Sequence, residues 1–124
     1  MTDRLYIFDT TLRDGNQTQG VDFGVSDKIA IARALDQLGI DYVEGGWPGA
    51  NPTDDTFFAK PPTLSRAKLT AFGMTRRGGR SASNDPGLAV TLRSQVQTIC
   101  LVGKTHDRHA KTALGVELNE NLAM

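Results

Sequence analysis

The sequence predicts an α/β fold of repeated β-α units, on three observations. Four short apolar runs, Leu5 to Phe8, Ile40 to Val43, Leu69 to Phe72 and Thr98 to Val102, are rich in β-branched, aromatic or leucine residues. None alternates cleanly with polar residues, which suits strands buried on both faces of a parallel sheet. Their starts lie roughly 30 residues apart, the length of a βαβ unit. Helix start and stop signals fill the stretches between them. A doubly wound sheet and a (β/α)8 barrel both use this unit. No Gly-x-Gly-x-x-Gly follows the first run, so a dinucleotide-binding sheet loses ground. A whole barrel needs ~200 residues or more. The 124 residues supply only the first four β-α units, a half-barrel.

The elements follow in order. The first strand comes directly after Thr2-Asp3-Arg4, without a signal-peptide layout. Ser26 is the expected N-cap of the first helix. Ile31, Leu35 and Leu38 then form a stripe facing the sheet, and Gly39 takes the left-handed position at its end. The second helix opens on Asn51-Pro52, with Asp54 and Asp55 in its positive first turn, and stops before Pro61-Pro62. Asp85-Pro86 repeats the cap-plus-proline device ahead of Leu88, Ala89 and Leu92. Asp107 caps a short turn ending at Leu114-Gly115, and Asn119 to Met124 begins another helix.

Composition narrows the function classes. A mass of 13.4 kDa fits one domain over residues 1–124. Lys+Arg and Asp+Glu both number 14 and the pI is near 6.7, against a nucleic-acid binder held by its overall field and against a polybasic membrane anchor. No apolar stretch approaches the ~18 residues of a membrane span. A single cysteine excludes an intrachain disulfide framework. The expectation is a soluble, cytoplasmic domain.

In β-α folds, sites form where strand C-termini open into loops. After the first strand, Asp9-Thr10-Thr11-Leu12-Arg13-Asp14-Gly15-Asn16-Gln17 packs carboxylates, amides, hydroxyls and an arginine into one loop. Asp14 is a hard oxygen ligand for a divalent cation. Arg13 offers fixed donors to a carboxylate or enolate oxygen, and Gln17 can orient a substrate. The competing reading is a tight loop tied down by Asp9 and the threonines. After the second strand comes Glu44-Gly45-Gly46-Trp47-Pro48-Gly49. Glu44 is a carboxylate at the end of an apolar strand that needs a partner, with Arg13 the structural candidate. The paired glycines allow close backbone approach to a ligand, and Trp47 reads chiefly as packing. After the third strand, Thr75, Arg76, Arg77 and Arg80 suit an anionic substrate or the phosphates of coenzyme A, or else a solvated loop. His106 and His109, three apart, read more readily as a surface helix start than as metal ligands, and Cys100 as a small buried hydrophobe.

Phe8 to Gln17 resembles the first-strand motif of the metal-dependent TIM-barrel acyltransferases and lyases. These are the isopropylmalate, homocitrate and citramalate synthases and hydroxymethylglutaryl-CoA lyase. Glu44 to Asp55 and Ala71 to Arg77 look like the citramalate synthase branch, and the likeness runs through nearly the whole chain. The resemblance implies the N-terminal half of a pyruvate carboxyltransferase-like barrel. It implies condensation of acetyl-CoA with pyruvate to citramalate, on a route to isoleucine. It also implies a divalent metal (Mn, Mg or Zn) with Asp14 as one ligand. Arg13 and Glu44 are then catalytic, Arg13, Gln17, Thr75 and Arg76 bind substrate, and the full-length parent is a homodimer. Isopropylmalate or homocitrate synthase is the alternative within the family. A non-catalytic half-barrel assembly module, or phosphate binding through the strand-three arginines, lies outside it. The His-x-His pair that completes the family's metal site is missing from these 124 residues. The segment alone is therefore expected to be catalytically silent, and its open sheet edges prone to pairing or aggregation.

Overall fold

Strand pairing in the computed structural model, which describes residues 3–124, follows chain order. β1 (Phe8–Asp9), β2 (Tyr42–Gly46), β3 (Lys68–Met74) and β4 (Thr98–Val102) form one parallel sheet in the order β1-β2-β3-β4. A doubly wound sheet reverses its order at a switch point. Here every strand is added on the same side, as in a barrel. The architecture is the first four β-α units of a (β/α)8 barrel.

α1 (Val25–Leu38), α2 (Pro52–Ala59) and α3 (Pro86–Leu92) are the first three crossover helices. After β4 come α4 (Asp107–His109), a π-helical turn at Ala110–Leu114, and α5 (Leu118–Ala123). The Asn-Pro and Asp-Pro starts form as expected. Asn51 accepts the Asp54 N–H at 2.8 Å and Asp85 accepts the Leu88 N–H at 3.0 Å. Two other caps differ. Gly24, not Ser26, caps α1, because the Asp27 carboxylate reaches back to the Gly24 N–H at 2.9 Å. His106, not Asp107, caps α4, its Nδ1 accepting the Arg108 N–H.

The buried stripe of α1 is Lys28, Ala32 and Asp36, flanked by half-buried Ile31 and Leu35. Leu38 is 76% exposed. It lies two residues beyond Asp36, about 200° around the helix, and so faces water. Asp36 is anchored by the turn into β3, accepting N–H bonds from Ser65, Arg66 and Ala67 and the Ser65 hydroxyl at 2.7–2.8 Å. These donors, Ala67 foremost, hold its carboxyl well below the usual range.

The core lies between the outer face of β2 and β3 and helices α1 and α2, built from Val43, Leu69, Ala71, Ala32, Phe57 and Phe58 with Leu12 from the first loop. The first strand is shorter and wetter than its composition suggested. Leu5, Tyr6, Ile7 and Phe8 are exposed, because β1 pairs only with β2. The Ile7 carbonyl still accepts from the Asp41 and Tyr42 N–H groups. At the other edge, the outward Ile99 and Leu101 of β4 are also exposed.

Candidate active site

Side chains alternate across each strand. Val43 points into the helix-covered core, so its neighbour Glu44 points to the opposite, inner face at the C-terminal end of β2. Glu44 is 1% exposed. A carboxylate that dry needs a partner, and Arg13 supplies it, Nε donating to Oε2 at 2.7 Å. Arg13 reaches inward because its own loop is fixed. The Thr10 carbonyl accepts the Arg13 and Gly15 N–H groups, Asp9 binds the Thr11 N–H and hydroxyl, and Leu12 is buried in the core. The guanidinium lies over the Phe72 ring at 4.3 Å. Its Nη1 donates to Asp14 at 3.1 Å. Arg13, Asp14 and Glu44 thus converge from two strand ends. Guanidinium has five N–H donors in a rigid fork, and the two bonds to carboxylates leave others for an incoming anion. Gln17 sits on the 3-10 turn Gly15–Gln17 and is exposed.

One neighbour, Cys100, went unrecognised in the sequence, while Trp47 packs as expected. Cys100 stands opposite Phe72 in the β3–β4 register. Burial pushes its thiol pKa up, and the charge of Glu44 pushes the same way. Period-two reading from Thr98 would have put it on the inner face. Trp47 packs edge-on against Phe72 at 5.1 Å between centroids, which makes it the wall behind Arg13. The paired glycines serve a different end from the one expected. Glu44 pairs with Thr70 and Gly46 with Ala71, so Gly45 is an extra, bulged residue. A Cβ on Gly45 would meet Phe57 at 2.7 Å, and one on Gly46 would meet the Asp54 carboxylate at 2.5 Å. The backbone approach is to helix α2.

The mouth of β3 is separate. Thr75, Arg76, Trp47, Met74, Leu88 and Val116 line part of a cavity of about 500 Å³. Arg76 is engaged by Glu120 of α5 at 2.7 Å, and the same carboxylate oxygen accepts the Gly79 N–H. These donors, Gly79 first, hold Glu120 below the ordinary range. Arg77 and Arg80 are exposed. His106 and His109 are exposed too, and the cap bond to Arg108 engages His106, so this turn reads as a helix start.

Among the described residues, no three His, Cys, Asp or Glu side chains cluster closely enough to hold a metal ion. Asp14 is nonetheless suited to serve as one ligand, being a hard oxygen donor with 65% of its side chain exposed at the strand mouth.

Parallel strands added in chain order, with helices between them, define the first four units of a (β/α)8-type barrel. The HMGL-like family model matches residues 4–124, and the chain belongs to that family. It is 50% identical to the (R)-citramalate synthase of Streptomyces coelicolor and 48% identical to that of Aquifex aeolicus, each match covering 100% of this chain and 24% of the relative. A 2-isopropylmalate synthase of Chromobacterium violaceum is 35% identical over 86% of the chain. The chain therefore spans about a quarter of the length of the curated relatives it matches. Among solved structures, hydroxymethylglutaryl-CoA lyase of Pseudomonas aeruginosa superposes with a TM-score of 0.72 at 18% identity, over 97% of this chain and 39% of that one. That likeness carries the fold. No described helix is long and apolar enough to cross a membrane.

Proposed function

We propose that the protein carrying this chain is a citramalate synthase, converting acetyl-CoA, pyruvate and water to citramalate and free coenzyme A. The observation that carries the reading is the Arg13 guanidinium, pinned by buried Glu44 over Phe72 and beside Asp14. The stronger likeness to citramalate synthases than to isopropylmalate synthases supports pyruvate as the oxoacid.

In this reading Arg13 grips the oxoacid and faces the oxygen on which negative charge develops. A preorganised donor at such an oxygen contributes roughly 3 kcal/mol. Glu44 keeps the guanidinium aimed and lies in the same pocket for proton transfer. The thioester methyl loses a proton and its carbon bonds to the ketone carbon, whose oxygen takes the electron pair. Water then cleaves the thioester and releases coenzyme A. Gln17 borders the oxoacid, and Thr75 and Arg76 bind on the acetyl-CoA side. Asp14 is the residue of this chain assigned to a divalent cation, which when bound supplies Lewis-acid polarisation of the ketone. Holding both reactants together removes at best roughly 7–11 kcal/mol of bimolecular cost. On the same family grounds we assign the full-length protein to isoleucine synthesis, to the cytoplasm and to a homodimer.

The test is coenzyme A release by the full-length protein with pyruvate, 2-ketoisovalerate and 2-oxoglutarate in turn. Release with pyruvate foremost supports the reading. Release only with one of the other two moves the protein to a sister activity, and no release with any of them overturns it.

A further inference from the structure

Behind the sheet lies an ion pair that the chemistry above does not use. Lys28 of α1 is fully buried and Asp54 of α2 nearly so. The Lys28 ammonium donates to Asp54 Oδ1 and lies 5.5 Å from the centroid of the Phe57 ring. The other carboxylate oxygen, Oδ2, accepts the Trp47 backbone N–H at 2.9 Å and the Asn51 amide at 3.0 Å. Gly46 leaves the opening for this. Its φ of 147° and its missing Cβ let the carboxylate lie 2.5 Å from where that atom would be. Replacing a buried ion pair with well-packed apolar residues is often neutral or stabilising, so stability is a weak reason to keep this one. Its contacts suggest another. Asp54 grips the chain three residues beyond Glu44, at the residue whose ring braces Phe72 beneath Arg13.

We propose that Asp54, oriented by Lys28, is a positioning residue: through the glycine bulge it holds Trp47, and through Trp47 and Phe72 it sets the guanidinium of Arg13 against Glu44. The inference rests on the proposed function for what Arg13 binds, an oxoacid carboxylate. The acceptor on the Trp47 N–H does the positioning, and the Lys28 charge balances the carboxylate.

Two double variants of the full-length protein separate position from stability. Lys28→Gln with Asp54→Asn removes both charges but keeps an oxygen for the Trp47 N–H. Lys28→Met with Asp54→Leu fills the same space and removes the acceptor. The expected result is a pyruvate KM near wild type in the first. In the second it rises roughly three- to tenfold, as loss of one hydrogen bond gives. Equal KM values in the two variants overturn the proposal. Trp47→Ala supplies a second route if either double variant fails to fold: an unchanged pyruvate KM overturns the proposal, and a raised one supports it. Should the wild-type protein release no coenzyme A, the function reading falls while the positioning remains readable. The near-ultraviolet circular dichroism of Trp47, taken as a difference against Trp47→Phe, is then expected to persist in the Gln/Asn variant and collapse in the Met/Leu variant. Persistence in both overturns the positioning itself.

Discussion

The mouth of β2 and the mouth of β3 read alike in sequence, each a strand end followed by glycines and charged side chains, yet they fold into different things. At β2 the charges converge. Arg13 arrives from the preceding strand, Glu44 from β2 itself, and Phe72 and Cys100 from the next two strands fill in beneath. At β3 the charges disperse. Arg76 is drawn sideways to Glu120, Arg77 lies exposed on the lining of the cavity, and Arg80 is exposed outside that lining. Glycines and charged side chains after a strand end therefore do not by themselves show that the charges converge. A buried carboxylate met by a cation from another strand is a better sign, because its dry environment makes the pairing obligatory.

The largest expected effect falls on the first mouth. Arg13→Ala is predicted to slow coenzyme A release by ~100- to 1,000-fold, as loss of a preorganised oxyanion donor does elsewhere, read by steady-state thiol assay. Glu44→Gln keeps an acceptor for Arg13 Nε but removes the charge. Stability is predicted to fall by roughly 2 kcal/mol in denaturant titration, with a raised pyruvate KM.

A control away from both mouths sharpens the contrast. Asp36→Asn is predicted to cost roughly 2–3 kcal/mol of stability without altering either KM, since it breaks charge-assisted bonds to Ser65, Arg66 and Ala67. The folded-state pKa of Asp36 is depressed. Its contribution is thus fully present above the unfolded value of about 3.9 and is lost as pH falls below it. Melts at neutral pH and near pH 3 are expected to show the gap between wild type and variant narrowing in acid. The smallest effect belongs to the second mouth. Arg76→Ala is predicted to raise the acetyl-CoA KM no more than about fivefold, the scale of a partly exposed ion pair, leaving the pyruvate KM unchanged.

β2, β3 and β4 were legible as apolar runs, and the Asn51-Pro52 and Asp85-Pro86 starts because their caps are local, whereas the first run, Leu5 to Phe8, is exposed and meets its strand only at Phe8. Gly24 and His106 were missed as caps. Asp27 decides the first of those ends by reaching back to the Gly24 N–H, and at the second His106 Nδ1 and Asp107 Oδ1 share the Arg108 N–H. The Arg13–Glu44 meeting was legible only as one of two readings, since a pairing across 31 residues depends on strand order. Cys100 and Asp54 were missed as neighbours of the site for a related reason. One lies two strands away and the other acts from behind through a bulge, and neither fact is written in adjacent residues.

Pyruvate binding to the full-length protein by titration calorimetry, wild type against Arg13→Lys, tests the central claim most directly. Lysine keeps the charge but loses the rigid fork. The account predicts affinity weakened about tenfold or more, as loss of a bidentate charged contact gives. Equal affinity in the two proteins would contradict it.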